Sequence, residues 1–223
     1  MPATSRLDVL MTGASGLVGQ GVLRACLAAA EVVRVTALVR RSGTVADGVP
    51  EIVLPDFLHA DAIGDQLAGF DACFYCAGAP PIGTPEPEYR AVTLEATLAV
   101  ARAWAAANPQ GRFFYISGAH ADPDSAFMPL RIKGETERAL ANLPIRTVML
   151  RPGGVRPVAG TGTRHGLLKP LYRFGGPLMK LATQVTPSLM TSNETLGRAM
   201  IALAGMPDPP AVVECVDINR LGR

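Results

Sequence analysis

Apolar and polar positions along the chain switch repeatedly between a two-residue and a three-to-four-residue period. Residues 7–12, LDVLMT, form a short apolar run closed by glycine, which predicts a strand entering a turn. In residues 16–30, Leu17, Val18, Gly21, Val22, Ala25, Cys26 and Ala29 fall at helical spacing. VVRVTALVR (32–40) and EIVLP (51–55) read as strands, ADAIGDQLAGF (60–70) as a short helix, and DACFYCAG (71–78) as a strand ending in glycine. After a proline-rich loop, an alanine-rich helix is predicted over 86–107 and is stopped by Asn108-Pro109-Gln110-Gly111. A strand over 112–118, a helix over 129–143 and a strand over 145–154 complete the regular part, with Pro129 acceptable only in the first turn of its helix.

Six such alternations with short connections predict parallel strands covered by helices on both faces. The fold class is therefore α/β, a doubly wound parallel sheet of the Rossmann type. One domain is expected over residues 1–223, with its core in 7–155 and a cleft-covering part in 156–223. Within that part, 167–185 reads as broken helices forming a small cap. Residues 191–205 read as a helix opened by Thr191 and Glu194 at capping-box spacing, and 211–218 as a last strand.

Composition narrows the function classes. The 223 residues are 48% hydrophobic and carry a formal net charge of only +2, so no basic face for nucleic acid is expected. No apolar run reaches the roughly 20 residues of a membrane span, and no secretory signal is evident. Cys26, Cys73, Cys76 and Cys215 form no disulfide framework, which points to a cytoplasmic protein with reduced thiols. CFYC (73–76) has redox spacing but lies within a predicted strand, where its two thiols point to opposite faces. His59, His120 and His165 show no metal-ligand spacing.

The chemistry concentrates in Gly13-Ala14-Ser15-Gly16-Leu17-Val18-Gly19, a glycine loop between a predicted strand and a predicted helix. Gly13 serves the tight turn, Gly16 the approach of the backbone to a pyrophosphate, and Gly19 the packing of the helix on the sheet. Ser15, Leu17 and Val18 share the helix N-terminus that would hold the anion. An NAD site usually adds an acid about 20 residues on, for the ribose hydroxyls. Here the second strand ends in Arg40 and Arg41, whose guanidinium groups suit a 2′-phosphate, so NADP(H) is the expected cofactor.

TGASGLVG (12–19) resembles the loop of extended and atypical short-chain dehydrogenase/reductases, the class that includes nucleoside-diphosphate-sugar epimerases and the Tat-interacting-protein branch. YCAG (75–78) resembles the fourth-strand segment of that family, which would set Cys76, Ala77 and Gly78 beside the cofactor. YISG resembles the fifth strand with its active-site serine at Ser117, and KGETE the helix with its catalytic lysine at Lys133. LRPGGV resembles the loop near the nicotinamide, implicating Pro152 and Gly153, and Asp56 stands where the family often places an adenine-side aspartate.

The resemblance implies hydride transfer between nicotinamide and a small carbonyl or alcohol, with a tyrosine four residues before the lysine as acid/base. This chain has Pro129 there, and proline has no proton to give. His120, three residues after Ser117, is a candidate replacement, as are Tyr75 and Tyr115, whose plainer role is in the core. Two readings follow: an NADP(H)-dependent oxidoreductase of an unknown small molecule, or a non-catalytic NADP(H)-binding regulator. The chain is expected to be a monomer or a homodimer, with the helices over 94–107 and 130–140 as candidate pairing faces.

Overall fold

In the computed structural model, which describes residues 6–161 and 189–223, nine strands are present: β1 (Leu7–Thr12), β2 (Val32–Val39), β3 (Glu51–Val53), β4 (Ala72–Tyr75), β5 (Arg112–Ile116), β6 (Arg146–Arg151), β7 (Gly154–Arg156), β8 (Met190–Ser192) and β9 (Val212–Glu214). Seven of them form one parallel sheet in the order β3-β2-β1-β4-β5-β6-β9. The strand order reverses between β1 and β4. Such a switch point opens a crevice at the carboxyl ends of the strands, where ligands bind in open α/β sheets.

The helices follow from the apolar periods. They are α1 (Leu17–Ala28), α2 (Glu86–Arg90), α3 (Ala96–Ala107), α4 (Met128–Ala141), α5 (Asn193–Gly205) and α6 (Cys215–Leu221). Alternate residues of each strand enter two cores. Val9, Met11, Phe74, Phe114 and Val148 pack with α1 and α5 on one face. Leu10, Tyr75, Phe113, Tyr115 and Met149 pack with Trp104 of α3 on the other. Phe74 and Phe114 meet edge-to-face at 5.1 Å between ring centroids, the geometry favoured by the ring quadrupole.

The structure departs from the sequence pattern in four places. The helix expected over 86–107 is interrupted by a π-turn, Ala91–Glu95, between α2 and α3. The helix expected over 60–70 is a 3₁₀ segment, Phe57–Leu67, kinked at His59 and Ile63. The strand expected over 211–218 ends at Glu214. Beyond it the chain winds into α6, which buries Cys215 and Ile218 and carries an Asp217–Arg220 ion pair. The cap of α5 is Ser192, whose hydroxyl accepts from the Thr195 N–H at 3.0 Å. Thr191 is instead a strand residue paired with Val155 in a two-stranded sheet of β7 and β8, and Glu194 pairs with Arg198. The broken helices expected over 167–185 lie outside the described residues, as does His165.

Close backbone approach fixes α1 against α5. A Cβ on Gly197 would fall 2.8 Å from both Val22 Cα and Ala25 Cβ. Gly197→Val is therefore expected to destabilise the protein by about 2 kcal/mol or more through overpacking. Denaturant unfolding would measure it; an unchanged midpoint would contradict the packing described.

Candidate functional site

The turn after β1 is built by contact. Gly13 has φ +66°, and a Cβ there would lie 2.5 Å from the carbonyl carbon of Cys76. On α1, a Cβ at Gly19 would lie 2.0 Å from the Gly13 oxygen. Glycine at both positions lets the loop fold tightly against β4 and against its own helix. Gly16 is the N-cap of α1 and no side chain caps the helix, so the first-turn amides of Leu17, Val18 and Gly19 are left for an outside acceptor. Ser15 lies at that end, with its carbonyl accepting from Gln20 Nε2 at 3.0 Å.

The loop leaving β4 is fastened to β1. The buried hydroxyl of Thr12 accepts from the N–H groups of Cys76 (3.1 Å) and Ala77 (3.2 Å). Cys76 and Ala77, which lie against Gly13, are half-buried, and Gly78 is exposed. Burial pushes the Cys73 and Cys76 thiols upward, and the two belong to opposite cores, which removes the redox reading of CFYC.

Arg40 and Arg41 are exposed just past the end of β2. Glu51, on the adjacent strand, spends its carboxylate on Ser42 Oγ (2.8 Å) and on the N–H groups of Gly43 (2.9 Å) and Thr44 (3.3 Å), and these donors hold its pKa low. Asp56 caps the 3₁₀ segment, accepting from the Leu58 N–H at 3.0 Å and meeting His59 Nδ1 at 3.4 Å.

At the end of β5 the structure brings Ser117 and Lys133 together. Lys133 Nζ donates to the carbonyls of Ser117 and, at 3.4 Å, of Ile116. Desolvation lowers its pKa to about 8, against the opposing charge of Glu137 one turn away. Glu137 is itself engaged by Arg151, with Nη2 at 2.6 Å and Nε at 3.0 Å. Ser117 is 2% exposed and its hydroxyl has no partner among the described residues. Its N–H donates to Leu150 O, and the N–H of Ala119 donates to Pro152 O, both at 2.8 Å, which draws the Pro152-Gly153 loop beside β5.

Pro129 occupies the first turn of α4, one turn before Lys133. Tyr75 and Tyr115 are buried in the core, and desolvation pushes their hydroxyls up. His120 is exposed and has φ +61°, the one positive φ of a non-glycine residue among those described. Such a conformation costs energy and is found where surrounding structure enforces it.

Two site-building residues carry weaker sequence signals. Thr12 is visible only as the first letter of its glycine motif. Asn193 gives no signal, yet it is fully buried and joins three segments. Its Nδ2 donates to Leu17 O (2.8 Å) and Thr161 Oγ1 (2.9 Å), and its Oδ1 accepts from the Val158 N–H (3.1 Å). With Arg24 donating to Ala159 O at 2.8 Å, it ties the chain after β7 to α1.

At the opposite edge of the sheet lie open cavities of about 530 and 460 Å³ that share Pro109, Gln110, Gly111 and Arg112. Arg112 there donates to the carbonyls of Ala204 and Pro207 and so closes the end of α5. Among the described residues no His, Cys, Asp and Glu cluster could hold a metal, and no helix is long and apolar enough to cross a membrane.

Comparison with known proteins agrees with this geometry. A family described as NAD(P)H-binding matches residues 13–176. The protein fmp52, mitochondrial, of Emericella nidulans is 26% identical, over 87% of this chain and 85% of its own. Among solved structures, the Bordetella bronchiseptica enzyme WbmF in complex with NAD+ superposes with a TM-score of 0.65 at 16% identity, covering 97% of this chain and 77% of that one. A short chain dehydrogenase from Burkholderia cenocepacia J2315 in complex with NADP superposes with a TM-score of 0.64 at 17% identity, covering 94% and 88%. The fold and the family resemblance of the TGASGLVG loop are borne out.

Lys133 gives this site a measurable titration. Its depressed pKa leaves it partly deprotonated at pH 8, and an anionic ligand beside it raises the pKa again. NADPH binding at pH 8 should then take up a fraction of a proton, and Lys133→Met should lose that uptake. Calorimetry in buffers of different ionisation enthalpy would read it; equal uptake in both proteins would remove Lys133 from the ligand site.

Proposed function

This chain belongs to the NAD(P)H-binding family, and from that premise we propose that it is an NADP(H)-dependent reductase or dehydrogenase of a small carbonyl or alcohol. The observation carrying this reading is Lys133, held on the carbonyls of Ile116 and Ser117 at the sheet edge where the glycine loop also ends. The pyrophosphate would rest on the uncapped first turn of α1, which the close packing of Gly13 on Cys76 and of Gly19 on Gly13 holds in place. Arg40 and Arg41 would hold the 2′-phosphate, and Asp56 would stand on the adenine side while capping its 3₁₀ segment. Cys76, Ala77, Gly78, Pro152 and Gly153 would line the dinucleotide.

When bound, NADPH supplies a hydride to the carbonyl carbon of the substrate. The protein's part is to orient that carbonyl and deliver one proton to its oxygen. The Ser117 hydroxyl, without a partner among the described residues, would donate to that carbonyl, and Lys133 would fix the ribose. His120 is the acid in this reading, since Pro129 has no proton and the buried tyrosines hold theirs too tightly. His120 would give the one proton that the substrate oxygen needs when the carbonyl becomes an alcohol, and would regain a proton from the buffered solvent.

Fluorescence titration should show NADPH binding more tightly than NADH by about tenfold to a hundredfold, the worth of one or two charge-assisted phosphate bonds. Arg40→Ala/Arg41→Ala should erase the difference by weakening NADPH alone; equal affinity in the wild type would reject NADP(H) selectivity. His120→Asn should lower NADPH consumption with a panel of aldehydes, ketones and quinones by at least about a hundredfold while sparing cofactor affinity. Wild-type protein that binds NADPH tightly and turns over nothing would instead be a non-catalytic cofactor-binding protein.

A further inference from the structure

Among the described residues, the two most exposed large apolar side chains are Ile82, at 81%, and Phe127, at 73%. Ile82 lies on the connection leaving β4, and Phe127 is the N-cap of α4 at the end of the connection leaving β5. Leu189, 56% exposed, has its carbonyl accepting from the Gly154 N–H at 2.7 Å, directly beyond β6 and the Pro152-Gly153 loop. β4, β5 and β6 are consecutive in the sheet. Ile82 and Phe127 therefore stand on two neighbouring connections, and Leu189 beside a third, all at the edge that carries Ser117 and Lys133. An ion pair of 2.7 Å between Arg131 and Glu86 draws the first turn of α4 towards α2 and so brings two of these connections together. Single exposed apolar residues are ordinary on a protein surface, but here three stand on segments that leave or flank neighbouring strands at one end of the sheet.

Among the described residues, the arginines of α2, α4 and β6 are already spent, and Lys133 is given to the ribose in this reading. Arg90 is paired with Glu135 at 2.6 Å, and Arg131 with Glu86. Arg151 is paired with Glu137 at 2.6 Å and Glu214 at 3.2 Å. A nucleoside-diphosphate sugar carries charge that needs unspent guanidinium or ammonium groups to replace its water. An apolar chain needs none, and gains by leaving water for exposed Ile, Phe and Leu side chains. We propose that this site takes an apolar carbonyl compound, an alkyl or aryl aldehyde or ketone, and not a sugar nucleotide. The proposal rests on the reductase reading of the same site and specifies its substrate class.

The test is equilibrium binding to NADPH-loaded protein by calorimetry, with methyl ketones from 2-butanone to 2-decanone and with UDP-glucuronic acid. Affinity should rise about threefold per added methylene until the chain outruns the rim. Ile82→Ser and Phe127→Ser should each weaken 2-decanone binding roughly fivefold or more and leave NADPH affinity unchanged. A flat ketone series, variants that bind 2-decanone as the wild type does, or tighter binding of UDP-glucuronic acid would each overturn the assignment. NADPH consumption with the same ketones is read in parallel. Binding without turnover would retain the apolar site and reject the reductase reading, whereas turnover confined to polar substrates would do the reverse.

Discussion

The site depends on one close approach: the turn after β1 lies directly against the backbone of Cys76 and Ala77. Gly13 leaves no room for a side chain there, and the Thr12 hydroxyl holds both facing N–H groups. This contact sets the crevice at the strand-order reversal, because β1 and β4 are the strands on either side of it. It also fixes the direction of α1, whose uncapped first turn follows within four residues. Buried amide groups must find partners, so a loop so short can pass this point in few ways.

The molecule separates its two sheet edges chemically. At the amino edge, arginine is used structurally: Arg112 closes the end of α5 on backbone carbonyls. At the carboxyl edge, polar groups are left available. The buried Ser117 hydroxyl has no partner among the described residues, Lys133 sits on carbonyls with a lowered pKa, and His120 is held in a strained conformation. Pro129 removes one proton donor from this edge but leaves α4 intact, because proline in the first turn interrupts no helical hydrogen bond.

Strands and amphipathic helices were legible because burial imposes their period. Leu10 and Met11 enter opposite cores, as alternation requires. The glycine loop was legible for the same reason, since Gly13 and Gly19 answer to contacts that only glycine permits. What the sequence did not show were features made by contact between distant segments. Asn193 reads as an ordinary polar residue and becomes a hub only when α5 meets α1. Val212–Glu214 and Cys215–Leu221 share one apolar stretch, and burial of Cys215 and Ile218 against the fold, with the Asp217–Arg220 pair, decides where strand gives way to helix. The π-turn after α2 leaves the apolar pattern nearly unchanged, so periodicity passes over it.

Amide hydrogen exchange with and without NADPH tests most directly that the dinucleotide occupies the crevice framed by Gly13 and Cys76. The account predicts added protection confined to residues 13–19, 40–44 and 76–78 and to the Ser117–Lys133 region. Protection absent from 13–19, or centred instead on the cavities around Arg112, would contradict it.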